Sequence, residues 1–274
     1  MRVTNAASGT NVAEIAEGVY RINTPVEMTG GPGAFNFNQY LVVDEEPLLF
    51  HTGPRRMVPW VREAVESVIP ASSLRWIAFS HVEADECGSL NEWLAVAPNS
   101  APVCGRLAAL VSISDLADRA PRGLADGESL RIGAKSVRWL DAPHVPHGWE
   151  CGFLFEETAK TLFCGDLFTQ GGKGTKPIVE TDIVEPCERS RSVSAGECGL
   201  RRAEDRGFLC ERVVLCSSWG LGFRWLHRRR FALCRRGASV SSRRHRLGSC
   251  GRARGTRARR ECGSRRCRPV AASP

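Results

Sequence analysis

The 274-residue chain lacks any apolar run long enough to cross a bilayer, and its start lacks the basic-then-apolar layout of a secretory signal. Both absences lead us to expect a cytoplasmic protein with no membrane partner. Paired cysteine spacing is missing from the first two thirds as well. Cys87, Cys104, Cys151 and Cys164 are scattered there, which suits reduced thiols better than a disulfide frame. Gly171-Gly172-Lys173-Gly174 lacks the Gly-Lys-Ser/Thr order that opens a helix in a phosphate loop, and reads as a surface loop. From Cys187 onward the chain contains no Lys, Asn, Gln, Ile, Met or Tyr at all.

That last absence divides the chain into two texts. Residues 1–186 carry 15 Lys and Arg against 24 Asp and Glu, a net charge of −9. Residues 187–274 carry 23 Arg against six acidic residues, a net of +17, together with eight of the 12 cysteines. The overall +8 describes neither part. Arginine runs such as Arg228-Arg229-Arg230 and Arg259-Arg260 break any apolar period, and only Gly207 to Phe223 is apolar enough to look core-like. Arg, Gly, Ala, Ser, Pro, Cys and Trp have GC-rich codons, whereas the missing types mostly need A or T. The composition therefore matches a GC-rich coding region read out of frame. The rival is a disordered basic tail, but such tails carry Lys and rarely this much Cys. We expect a domain over 1–186, incomplete at its C-terminal end, and a frameshifted or disordered tail over 187–274.

Within 1–186 the alternation of Gly18 to Ile22 and of Phe35 to Asp44 predicts strands, the second turning at Glu45-Glu46-Pro47 into Leu48-Leu49-Phe50. Val58, Val61, Val65 and Val68 predict an amphipathic helix over 57–68. Arg75 to Phe79 reads as a buried strand, Gly88 to Val96 as a helix, Pro102 to Cys104 as a strand and Leu107 to Leu116 as a helix. Residues 128–132 and 136–140 read as strands, and 152–155 with 161–164 as a hairpin. Helices fall between strand groups, which indicates an α/β sandwich with helices outside packed sheets.

The strand-to-helix loop Ser80-His81-Val82-Glu83-Ala84-Asp85 carries three metal-capable side chains. Imidazole with carboxylates and no sulfur suits iron, manganese or zinc. His144 and His147 lie on the proline-flanked loop 143–148, and Asp166 follows the strand ending at Cys164. A carboxylate such as Asp166 can bridge two metals, one to each oxygen.

These segments resemble the metallo-β-lactamase superfamily, and most closely its H-x-E-x-D branch of flavodiiron and oxygen-binding di-iron proteins. The features run from about Gly18 to Asp166 and include the hairpin into His51-Thr52-Gly53, His81, Glu83 and Asp85, the Pro-His loop, and Leu162 to Asp166. The resemblance implies an αββα metallo-β-lactamase-like sandwich with a two-iron site at one sheet edge. His81 and Glu83 would serve one iron, Asp85 the other and Asp166 the bridge. Spacing to the bridge favours His147 as a ligand, whereas the Pro-His-x-Pro context matches His144. His227 stands where the family's last ligand belongs, but beside three arginines whose charge repels a dication.

The plainer readings are explicit. Glu86 reads as a solvent-facing residue at a helix start, His51 as a polar residue ending a strand, and Tyr40, Trp93 and Trp149 as core or pocket-wall residues. In hydrolytic members histidines stand at the positions of Glu83 and Glu86, so the pair tilts the site from zinc toward iron. The expected function is binding or reduction of dioxygen or nitric oxide, with a separate electron-donor protein as partner because no flavodoxin-like segment is visible. The alternatives are a zinc hydrolase acting on an ester, thioester or lactam as small-molecule substrate, and an inactive truncated product. A nucleic-acid partner for the arginine-rich tail finds no recognisable module.

Overall fold

The computed structural model describes residues 1–27, 34–145, 147–168, 176–180, 212–214 and 223–224. The chain divides into two compact units, Met1–Leu233 and Cys234–Pro274, and every described residue lies in the first. Gly171-Gly172-Lys173-Gly174, His227 and nearly all of the 187–274 tail lie outside the described residues.

The first sheet takes its strands in chain order: β1 (Arg2–Asn5), β2 (Thr10–Ala16), β3 (Val19–Glu27), β4 (Ala34–Val42), β5 (Leu48–Phe50), β6 (Trp76–Ala78), β7 (Ala101–Gly105) and β8 (Arg122–Leu124). The first five form an antiparallel meander, and β5 to β8 run parallel. Parallel neighbours need crossover connections, and helices supply them. They are α1 (Val58–Glu66), then α2 (Ala84–Cys87) with α3 (Leu90–Val96), then α4 (Arg106–Ala108), which continues through a π-helical stretch (Ala109–Ile113) into α5 (Ser114–Leu116).

The second sheet is ordered β14 (Phe223–Arg224), β13 (Arg212–Val214), β12 (Thr161–Phe163), β11 (Gly152–Glu156), β10 (Ser136–Asp141) and β9 (Ser129–Arg131). β9 to β12 are antiparallel, and β13 adds parallel to β12 with Leu162 opposite Val213. The sheet thus continues past Pro186 into the stretch 207–223 that alone looked core-like. β1, β2 and β8 are further additions to the expected strands.

Period-two alternation sorts the side chains. Leu49 of β5, Ile77 of β6 and Phe79 just past β6 face the helices, where Val61, Val65, Leu90, Trp93 and Ile113 cover them. Leu48, Phe50, Trp76 and Ala78 face the other way, onto Leu130, Val137, Trp139, Leu154 and Phe163 of the second sheet. Trp93 and Tyr40 are fully buried, as expected of core residues. The outer face of the second sheet carries Leu140, Phe153 and Phe155, packed with Leu167 and Phe168 of a 3-10 turn (Gly165–Phe168). The layers are those of an αββα sandwich, the outer helical layer on the second sheet being represented among the described residues by that turn.

Candidate metal centre

Four loops meet at the sheet edge where β5 and β6 end. Past β5 the chain bends sharply: His51 adopts φ 65° and Gly53 φ 76°. Past β6 it reaches Ser80 and His81, both buried. After β12, Gly165 at φ 52° turns the chain into the segment carrying Asp166. A Cβ on Gly165 would lie 2.5 Å from Ser80 Oγ, so glycine is what lets the Asp166 turn close onto the His81 loop. The fourth loop joins β10 to β11. The Gly152 N–H donates to Ser80 O at 2.9 Å, and the Val82 N–H donates to Glu150 Oε1 at 3.2 Å. These bonds bring His147 beside His81.

His81, Glu83, His147 and Asp166 each place a donor atom so that all four lie within 4.8 Å of one another. His147 Nε2 is 3.0 Å from Glu83 Oε1, and His81 Nε2 is 3.6 Å from Glu83 Oε2. The two imidazoles meet edge to face, 4.7 Å between centroids. Glu83, Asp85 and Glu86 form a second set that shares Glu83. His144, at φ 62° and exposed on the loop, joins neither.

Below His81 lies a buried hydrogen-bonded chain. Ser80 Oγ is 2.7 Å from His81 Nδ1 and 3.0 Å from His51 Nε2, and the Ser80 N–H donates to His51 Nε2 at 3.2 Å. Accepting that N–H puts the proton of His51 on Nδ1. One consistent assignment then has His81 Nδ1–H donating to Ser80 Oγ and the Ser80 hydroxyl donating to His51 Nε2. His81 Nε2 is left facing the carboxylates, enclosed and without a hydrogen-bond partner. A second interaction fixing the tautomer of an imidazole is the usual companion of a metal-binding histidine.

Charge follows the same geometry. Burial holds His51 well below the usual histidine range, with His81 adding to the effect. For His81, burial works downward, but the negative charge of Glu83, Asp166 and Asp85 around the ring outweighs it and holds the group above its ordinary value. The His81 contact lowers Glu83. Burial, reinforced by Asp85 and Glu83 and opposed by His81, pushes Asp166 up to about 7. Histidine nitrogen and carboxylate oxygen at these separations, with one imidazole nitrogen enclosed and unpartnered, fit a transition metal ion.

Two expectations are corrected. Glu86 does not face solvent: it is fully buried, 3.8 Å from His81 Nε2 and 4.0 Å from His51 Nδ1, because the first turn of α2 folds back over the histidines. Trp149 is neither core nor wall but 55% exposed; the turn that carries the Glu150 carboxylate to the Val82 N–H leaves the adjacent indole outside.

Residues 35–189, more than half the chain, match the family described as "ODP family beta lactamase". The chain belongs to that family. No curated protein sequence matches it. Several solved structures share the fold of this family member. The rubredoxin oxygen:oxidoreductase of Desulfovibrio gigas aligns at 18% identity over 78% of this chain and 58% of its own, with a TM-score of 0.66. The flavodiiron protein of Giardia intestinalis aligns at 16% over 78% and 56%, TM-score 0.68. The 1–254 fragment of a putative diflavin flavoprotein from Nostoc aligns at 13% over 78% and 89%, TM-score 0.68. The chain thus spans less than three fifths of the first of these. The ODP family match covers every residue of the two donor sets.

Among the expected ligands, His81, Glu83, Asp85, His147 and Asp166 are brought to one sheet edge. Sequence reasoning missed Ser80 and underrated His51 and Glu86. No helical spacing signalled Glu86, because Glu83 caps α2 in extended backbone and does not share a helix face with it.

Proposed function

We propose that this chain is a two-iron protein of the metallo-β-lactamase fold that binds or reduces dioxygen or nitric oxide. The observation that carries the reading is the convergence of His81, Glu83, His147 and Asp166 within 4.8 Å around the enclosed Nε2 of His81. In the reading, His81, Glu83 and His147 would hold one ion and Asp85 the other, with Asp166 placed where it could serve both. Such ions, when bound, supply electrons and open positions for a diatomic ligand. The protein contributes the rest. Ser80 and His51 fix the His81 imidazole with Nε2 outward. His147, 48% exposed in its side chain, borders the solvent side of the cluster. Electrons would come from a separate donor protein.

Carboxylate at positions 83 and 86 favours iron over hydrolytic zinc, since carboxylate oxygens are harder donors than the imidazoles of hydrolytic members. Elemental analysis and absorption spectroscopy of the purified chain test this. We expect iron, with charge-transfer bands that change on exposure to dioxygen or nitric oxide. Bound zinc with ester turnover and no such bands would reject it.

A further inference from the structure

The antiparallel meander of the first sheet buries a positive charge. Arg21 lies on β3, opposite Ala13 of β2 and Tyr40 of β4. Val19, two residues before it, and Tyr40 beside it both belong to the cluster between the sheets, so Arg21 points into that layer. It is 1% exposed. One terminal nitrogen, Nη1, donates to Lys176 O at 2.9 Å; the other, Nη2, is enclosed and has no hydrogen-bond partner. Among the described residues no carboxylate forms an ion pair with it. The next side chains along that face are neutral amides that bond among themselves: Asn11 Nδ2 donates to Asn23 Oδ1 at 3.3 Å, and Asn23 Nδ2 to Asn38 Oδ1 at 2.9 Å. Proton loss does not relieve the charge. Burial pulls the group downward, with Tyr40 working the other way, but a guanidinium keeps its proton in proteins. Nor is the Tyr40 phenol the counter-ion at neutral pH, since a phenol ionises only near about 10. A charge enclosed in this way is costly unless it is paired.

We propose that Arg21 Nη2, between the two sheets, holds a small singly charged inorganic anion, chloride in kind. The ion has to be small because Ala13, Val19 and Tyr40 close the surroundings, and weakly hydrated because it sheds water to enter. Its effect reaches a second part of the fold. Arg21 holds Lys176 O, and Ile178 packs against the same inter-sheet cluster. Neutralising Arg21 therefore fastens residues 176–180, which follow the Asp166 turn, to the first sheet. The position is separate from the metal centre: Arg21 is in register with Tyr40 and, through it, with Phe50, two strand spacings or about 10 Å away.

The test is thermal unfolding of the full chain as purified, with gluconate replaced stepwise by chloride at constant ionic strength. We expect the melting temperature to rise saturably, by about 3–6 °C at tenfold excess over the dissociation constant. Gluconate is too bulky for the position and serves as the baseline. The arginine-rich tail also attracts anions, so the rise is read against Arg21→Gln and Arg21→Met, both of which should lose it. Bromide soaked into crystals of the parent protein should give an anomalous peak within hydrogen-bonding reach of Nη2, and this readout decides alone if neither variant folds. A chloride effect that survives in both variants belongs to surface charge and overturns the proposal. So does a parent that melts alike in the two salts, or bromide absent from Nη2.

Discussion

Ser80 shows how much a single hydroxyl can carry. Its Oγ lies between His51 Nε2 and His81 Nδ1, and its N–H donates to His51. Ser80→Ala keeps the N–H but leaves His81 Nδ1 without that partner in the interior, freeing the ring to turn. Loss of a group that orients a metal-binding histidine typically costs about 10- to 100-fold in metal affinity. We expect a loss of that size in chelator competition, with the folded spectrum retained; unchanged affinity would reject the orienting role. Asp166 gives a second prediction, in pH. Its folded pKa of about 7 stands above the ordinary carboxylate value, so the folded protein holds a proton that the unfolded chain has lost. The contribution of this group to stability is therefore full below about 4 and is lost as pH rises toward and through about 7. His51, buried neutral, works in the opposite sense on acidification, so the comparison must be differential. In metal-free protein, the stability of Asp166→Asn relative to the parent should rise steadily from about pH 4 to above 7. Melting series in a chelating buffer read this, and a pH-independent difference sinks it.

The strands that frame the site were legible because their alternation is strict. β4, β5, β6 and the β11–β12 hairpin all lie where apolar runs and turn residues place them, and α1 follows its valine spacing. β1, β2 and β8 were not legible. β2 has Asn11 and Glu14 interrupting its period, and β8 is three residues long with a glycine, Gly123, at its centre. Nor does any local pattern reveal that Glu86 is buried, since that depends on α2 meeting His51 and His81 from distant elements. Packing between the sheets is equally invisible in sequence. Trp139 of β10 fills the space over Gly105 of β7 and Gly152 of β11, and its indole N–H donates to Asp141 at 2.7 Å. A Cβ on Gly152 would fall 2.0 Å from the indole ring, a clash that no flexible side chain can absorb. Because Gly152 also donates to Ser80 O, the strain reaches the His81 loop directly. Gly152→Ala should cost about 1–3 kcal/mol of stability through overpacking and loosen metal binding along with it. Denaturant unfolding and a metal titration on the same sample check both; a stable variant with weakened metal would instead place the effect in the loop alone.

At the scale of the molecule, the compositional break at Cys187 and the course of the second sheet pull against each other. The charge turns from −9 to +17 there, yet β13 lies beyond it, paired along β12. β12 would otherwise be an open edge, and unpaired edges invite association. A chain ending at Pro186 should therefore yield less monomer than one ending at Leu233, as size-exclusion chromatography would show. The metal centre has a parallel dependence. The resemblance calls for one more histidine after Asp166, and His227, outside the described residues, is the residue at that distance. We propose that the tail is read out of frame and that the true last ligand is lost with it. On that reading, His227→Ala leaves the metal content of the chain unchanged, while restoring the neighbouring frame past Cys187 raises it toward two ions per chain. If His227→Ala instead lowers metal content and the restored frame adds nothing, the tail is native and His227 is the missing ligand. The two outcomes require opposite changes in the same measurement, because a ligand's removal weakens a site that its addition would complete.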